Sequence, residues 1–397
     1  MLKTAKSSST GEFSAVQAIF WMQYCVFYCF SVVYLQMLGY SNTVLGAVLA
    51  AGNLLGGLLG PAPLSSLIDR HEQITARRLT PPLLALQAVT VLALLLNPCK
   101  GIVTTVGFVV FISIGLSMNS LSLKLYADAI RLGRTINYGF ARGCGSLACV
   151  LMSIALGAAI ERGPLWMLCA TGLGLTAAQF AAFLALVRDM PKGSIPGEES
   201  VRGVSVSAFL RRNPRFSVLL VGTVLLYFGY NTVSGFFINV IRNVGGDASD
   251  MGLLNGLMAA IEIPVMMLFQ RLFGKRNLSV LLAVSLLFFC ARAAAIALAG
   301  SVLQLGLSLI LQAPSFALYT AAIVPYVDQV IPREDSAKAQ SLTFSMPMLG
   351  AVLAGMISGR LYDALTVSFT LWIACGICVL GVLICLLALR RGLRRAN

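Results

Sequence analysis

The chain has 397 residues, of which 58% are hydrophobic and only 11% charged, with a mean hydropathy of +0.86. Soluble globular chains carry about 25% charged residues, so the composition argues against a soluble enzyme and for an integral membrane protein. The net charge of +14 is scattered over the segments between apolar runs; a nucleic-acid footprint would cluster on one soluble domain, so no nucleic-acid partner is expected.

A helix needs about 20 apolar residues to cross the hydrocarbon core. Runs of that kind fall at 13–38, 43–67, 80–97, 102–123, 137–160, 164–187, 215–240, 250–270, 277–299, 302–325, 339–359 and 366–389. The reading is an all-α membrane protein with twelve transmembrane helices. The first run lacks a small-residue cleavage pattern after it and reads as a retained span, not a signal peptide. On its one face lie Gln17, Trp21, Tyr24 and Tyr28, spaced i, i+4, i+7, i+11. Such a Trp/Tyr face suits stacking on sugar rings and equally suits core packing.

The second span carries Asn53 and the glycines 52, 56 and 60; Gly139–Gly143, Gly252–Gly256 and Gly355–Gly359 repeat the spacing of four. Small residues so placed let helices approach closely, as generic bundle packing or as a moving seam between halves. The fourth span adds Asn119 and ends in Tyr126 and Asp128.

Arg142 stands about five residues into the fifth span, in NYGFARGCGSLACV. A long side chain can snorkel to the headgroups from there, or point into a wet cavity and offer five fixed donors to a hydroxylated or anionic solute.

Residues 189–213, rich in Pro, Gly and Ser, read as a flexible cytoplasmic linker. It separates an N-terminal six-helix bundle (1–188) from a C-terminal one (214–397). The halves echo each other at an offset near 200: Tyr126 and Asp128 match Tyr326 and Asp328, and Pro63 with Arg70 matches Pro264 with Arg271. A parallel duplication, with the two bundles related by pseudo-twofold symmetry, is expected. Asp128 and Asp328 are expected to pair with Arg70 and Arg271 at span ends and to gate access.

The seventh span carries Tyr227, Asn231 and Ser234 on one face, and Asn231 joins the polar candidates for solute contact. Glu262 lies about twelve residues into the eighth span, near the midplane at ~1.5 Å per residue. An ionised group there costs roughly 2.5–3.5 kcal/mol, so it is expected to face a cavity or a partner, or to carry a proton. It can therefore couple a proton to transport, or simply be a packing acid. Arg292, in the ninth span, is expected to serve the same relay or to neutralise Glu262. Gln312, in the tenth span, is a further candidate for solute contact. The one CxxC pair, Cys375 and Cys378, sits inside the last apolar run and reads as buried small hydrophobes; neither a metal site nor a cofactor is expected.

With the N-terminus inside, 23 of the 29 basic residues fall on the cytoplasmic side and 4 opposite, leaving Arg142 and Arg292 within spans. This places both termini in the cytoplasm of a cell (inner) membrane.

The pattern resembles the major facilitator superfamily over the whole chain: twelve spans, a central linker and a basic segment after the second span, Leu67–His71. Within it, YGFARGCGS (138–146), Lys124–Asp128 and LQAPSFALY (311–319) resemble the lactose-permease-like oligosaccharide and nucleoside proton symporters. The resemblance implies that Arg142 binds the solute, and that Arg292 matches the arginine of the ninth span. The acid that partners the family's arginine would fall at Lys124. In the tenth span the family's histidine and glutamate are replaced by Gln312 and Ser315, which do not titrate near neutral pH. The family's proton relay therefore does not carry over, and Glu262 is expected to take that role. The function implied is secondary transport of a small polar solute, a sugar or oligosaccharide, coupled to a proton or other ion. A drug or metabolite efflux facilitator of the same fold is the alternative. No Walker-type phosphate loop is seen, and facilitators of this kind are not enzymes.

Overall fold

Residues 9–60, 75–188, 190, 206–274 and 276–394 are described by a computed structural model of the chain. Among them, twelve helices are long and apolar enough to cross a membrane: Thr10–Met37, Asn42–Leu59, Ala76–Leu96, Ile102–Arg131, Tyr138–Glu161, Trp166–Val187, Pro214–Ser234, Ala248–Phe269, Leu278–Leu298, Val302–Val330, Arg333–Ala364 and Val367–Arg390.

Local chemistry sets several of their ends. Thr75, Asn137, Asn277 and Ser301 are N-caps whose side chains accept from the backbone N–H of Arg78, Phe140, Ser279 and Gln304, satisfying donors that the first helical turn leaves open. The Thr75 cap starts the third span four residues earlier than hydropathy suggests and places Pro81 and Pro82 in its second turn, where each lacks the N–H that would otherwise bond the carbonyl four residues back. The seventh span is shorter than its apolar run. It stops at Ser234, and the chain bends through Gly235 and Phe236 into a separate short helix, Phe237–Asn243. The fourth, tenth and eleventh spans run beyond their apolar cores into polar residues. The expected linker 189–213 is helical over Val206–Arg212; residues 189 and 191–205 of it lie outside the described residues.

The chain divides into two units: Met1–Tyr40 with Ala51–Ser200, and Ser41–Ala50 with Val201–Asn397. In the first unit, the first span packs along the fifth and sixth, and the third along the fourth and sixth. Phe13, Phe20, Phe27, Phe30, Phe108 and Phe111 are fully buried there. Gly52 and Gly56 lie directly on Ile112 and Ser113 of the fourth span. A buried polar knot ties three spans together: Gln87 Nε2 donates to Gln23 Oε1 at 3.1 Å and to Thr176 Oγ1 at 3.3 Å.

In the second unit, the seventh span packs along the eleventh and twelfth, and the ninth along the tenth and twelfth. The close crossing is made by Gly222, Gly229 and Gly381. A Cβ at Gly222 would lie 2.5 Å from Cys385 Sγ, and one at Gly381 would lie 2.6 Å from the Leu226 nitrogen. These glycines are seven or more residues apart, so the four-residue spacing does not reveal them. By contrast, among the described residues a Cβ at Gly143 would meet nothing within 4 Å, and one at Gly139 would meet Asn137 Oδ1 at 3.6 Å. Gly355 and Gly359 do pack closely, against Gly46 and Asn42 of the 41–50 segment.

Candidate functional site

Each unit holds one cluster of polar and aromatic side chains within its spans. Local helix geometry helps to place both. The helices widen to i→i+5 hydrogen bonding at Cys25–Cys29, Asn53–Leu59 and Ala313–Ala317. Such wide turns are uncommon and recur at functional sites because they re-aim side chains. Here they contain Tyr28, begin at Asn53, and follow directly on Gln312.

In the first unit the centre is Arg142. Its guanidinium lies 4.2 Å from the centre of the Trp21 ring, and its Nη1 donates to Ser146 Oγ at 2.7 Å, one turn along the same helix. A cation over an indole face is held by about 0.5–2 kcal/mol, more as water is excluded. Gly145 sets the height of this stack: a Cβ there would lie 2.6 Å from Trp21 Cδ1. The aromatic face continues along the first span. Trp21 and Tyr24 are 5.3 Å apart, and Tyr24 and Tyr28 stack at 5.0 Å with 17° between planes. Asn53, buried, donates to the Tyr28 hydroxyl at 3.5 Å. The expected residues Trp21, Tyr24, Tyr28, Asn53 and Arg142 therefore form one group. Trp21 Nε1 and Gln17 Nε2 are buried without a hydrogen-bond partner, an uncommon state for buried donors. Asn119 lies half-buried in the fourth span, its carbonyl accepting from Ser122.

The second unit brings Glu262, Arg292 and Gln312 together around Tyr230. Gln312 Nε2 donates to Glu262 Oε1 at 2.7 Å and to the Tyr230 hydroxyl at 3.1 Å. The Arg292 guanidinium sits 4.9 Å from the centre of the Tyr230 ring, and its Nη2 reaches Met258 Sδ at 3.7 Å. Arg292 and Gln312 are 3% and 1% exposed, yet Arg292 Nε and Gln312 Oε1 have no hydrogen-bond partner. A buried guanidinium with an idle donor beside a half-buried carboxylate can bind a polar group and respond to a proton on that carboxylate. Tyr230 stacks at 5.2 Å on Phe316, on the wide turn of the tenth span. Asn231, by contrast, turns back on its own helix, donating to the Tyr227 carbonyl at 2.7 Å.

Of the expected gating residues, Arg70 lies outside the described residues. Asp128 is 3.9 Å from Arg131 of its own helix. Asp328 does not pair with Arg271, which is exposed. Instead it accepts from Ser336 Oγ at 2.7 Å and Gln340 Nε2 at 3.0 Å of the eleventh span. The reason is reach: the eleventh helix starts at Arg333, earlier than its apolar run, and brings two neutral donors under the carboxylate.

Sequence reasoning passed over Tyr230, Gly145, Ser146 and Asp363. Asp363, near the end of the eleventh span, accepts from the backbone N–H and Nδ2 of Asn42, both at 3.0 Å, and from the N–H and hydroxyl of Thr43 at 2.7 and 2.6 Å. It caps the first turn of the second span from 320 residues away. No local signal in the sequence announces a cap supplied from so far.

Helices crossing the membrane twelve times, with ionisable side chains held inside them, describe a multi-pass membrane transporter rather than an enzyme. The sequence matches the MFS_1 like family over residues 58–373, and the chain belongs to it. Among curated proteins it is 24% identical to the maltose permease of Geobacillus stearothermophilus over 352 residues, 86% of this chain and 87% of that one. It is 31% identical to a candidate sugar efflux transporter of Deinococcus radiodurans over 124 residues, 31% of this chain and 32% of that one. Among solved structures, the nucleoside transporter NupG superposes with a TM-score of 0.77 at 14% identity, covering 95% of this chain and 99% of that one. A POT family transporter in complex with 5-aminolevulinic acid gives 0.73 at 12% identity, covering 96% of each. At such identities the structural likeness speaks for the all-helical major facilitator fold alone.

Proposed function

We propose that the chain is a secondary active transporter that moves a polar organic solute, a sugar or oligosaccharide, across the cell membrane by alternating access and proton-coupled symport. The observation that carries this reading is the Arg142 guanidinium held 4.2 Å over the Trp21 ring beside the Tyr24–Tyr28 stack. It offers a planar donor fork next to aromatic faces, the pairing that hydroxylated rings engage through hydrogen bonds and apolar C–H faces at once. The likeness to a maltose permease over most of both chains supports the sugar class. Glu262, joined to Gln312 and close to Arg292 and Tyr230, is the proton-coupling group in this reading. Both termini face the cytoplasm, on the strength of the basic residues counted above.

Export is the second reading, favoured by the shorter but closer likeness to a candidate sugar efflux transporter. A thermal-shift screen of the purified chain against sugars, nucleosides and organic acids tests the solute class, because a ligand that binds only the folded state stabilises it with the logarithm of its concentration. A sugar that raises the unfolding temperature in the wild type and not in Arg142→Ala supports the proposal. Stabilisation by cationic or apolar compounds alone overturns it.

A further inference from the structure

A cavity of about 420 Å³ opens in the second unit at the ends of four spans. It is bounded by the starts of the seventh and ninth spans, at Pro214 and Ser279, and by the finishes of the tenth and twelfth, at Val330 and Ala388. Helix ends mark the boundary of the hydrocarbon core, so the cavity lies at the depth of the lipid headgroups.

Its walls divide by chemistry. Arg212 and Arg215 stand at the rim, both exposed. The hydroxyl-bearing Ser279 and Tyr326 line it further in, and among the described residues no acidic one lines it. Phe216, Leu219 and Ile331 form an apolar wall, each nine-tenths or more buried. The two arginines are held in place by packing next to them. Phe209 of the short helix is fully buried and packs edge-on against Phe216 at 5.8 Å. Ser217 Oγ donates to the Leu210 carbonyl at 2.8 Å, and Asn213 Nδ2 to the Phe209 carbonyl at 3.1 Å. The seventh helix begins at Pro214, and Asn213 before it supplies no side-chain cap.

The duplicated sequence supplies an internal comparison. Tyr126, at the position matching Tyr326, is half-buried and packs against Phe13 and Tyr138, each 5.2 Å away. In the second unit the equivalent tyrosine is buried and lines the cavity wall instead.

We propose that this cavity binds the headgroup of an anionic phospholipid, with the phosphate between Arg212 and Arg215 and the glycerol and upper acyl chain against Phe216, Leu219 and Ile331. Guanidinium forks match phosphate oxygens in geometry and charge. The apolar wall favours a lipid over a free phosphate compound, since a small hydrophilic anion gains nothing from it. Basic pockets between spans at the membrane surface select anionic lipids in this way. The site is independent of the solute proposed above.

The test is native mass spectrometry of the full-length chain purified in detergent and titrated with phosphatidylglycerol or phosphatidylcholine. Wild type is expected to retain phosphatidylglycerol in preference to phosphatidylcholine. The Arg212→Gln/Arg215→Gln variant is expected to bind phosphatidylglycerol about 30-fold more weakly. A control pair, Arg211→Gln/Arg276→Gln, removes the same charge from residues that do not line the cavity and is expected to bind like wild type. Equal weakening in the control pair would reduce the effect to net charge and overturn the site. Undiminished binding in the Arg212/Arg215 variant would overturn it too. So would inorganic phosphate displacing the lipid at matched concentration, which would reassign the cavity to a free phosphate ligand.

Discussion

Gln312 and Glu262 are joined by a 2.7 Å hydrogen bond between the tenth and eighth spans, with the amide donating and the carboxylate accepting. The same amide nitrogen also donates to Tyr230, whose ring lies beside the Arg292 guanidinium. In the proposed coupling, a proton on Glu262 would remove the negative charge from this group and leave the arginine as its dominant charge.

Glu262→Gln keeps the shape and a hydrogen-bonding partner for Gln312 but holds no exchangeable charge. Reconstituted in proteoliposomes, this variant is expected to lose solute accumulation driven by a pH gradient while keeping downhill exchange. Uphill transport at the wild-type level in Glu262→Gln would refute the coupling role.

Arg142→Lys keeps the charge and loses the planar fork. A charge-assisted hydrogen bond is worth about 1.5–3 kcal/mol, so solute affinity is expected to fall roughly ten- to a hundredfold with expression intact. Isothermal titration of the purified variant measures it, and an unchanged affinity would show that Arg142 does not bind the solute.

Gly145→Ala places a methyl 2.6 Å from Trp21 Cδ1 and 3.3 Å from the Gln17 carbonyl. Either the indole or the fifth helix must shift, at a cost of about 1–3 kcal/mol. The expected outcome is weakened solute binding together with a change in tryptophan fluorescence. Gly143→Ala, at a position open to 4 Å, is the matched control and is expected to change neither.

Asp363→Ala removes the acceptor of four hydrogen bonds at the start of the second span. Loss of an N-cap costs roughly 0.5–2 kcal/mol, so the unfolding midpoint is expected to drop. Faster alkylation of a cysteine placed at Asn42 would report release of the 41–50 segment. An unchanged midpoint and an unchanged labelling rate together would show that the cap contributes nothing.

The membrane class and the helical architecture were legible because the lipid bilayer imposes a one-dimensional rule: about 20 apolar residues per crossing, wherever they fold. Arg142, Glu262 and Arg292 stood out for the same reason, each an ionisable residue where hydrocarbon penalises charge. Helical periodicity also placed Trp21, Tyr24 and Tyr28 on one face. What lay beyond that rule depended on which helix meets which. Tyr230 is one aromatic among many until Gln312 and Arg292 arrive from two other spans. Gly145 is one small residue among several until Trp21 lies on it, whereas its neighbour Gly143 faces open space. Asp328 looked like a partner for a nearby arginine, and the extended eleventh helix supplied Ser336 and Gln340 instead. Asp363 caps a helix that begins 320 residues earlier. Crossing the membrane is decided by each segment's own composition; partners 8 to 320 residues apart are decided by packing, which has no period along the chain.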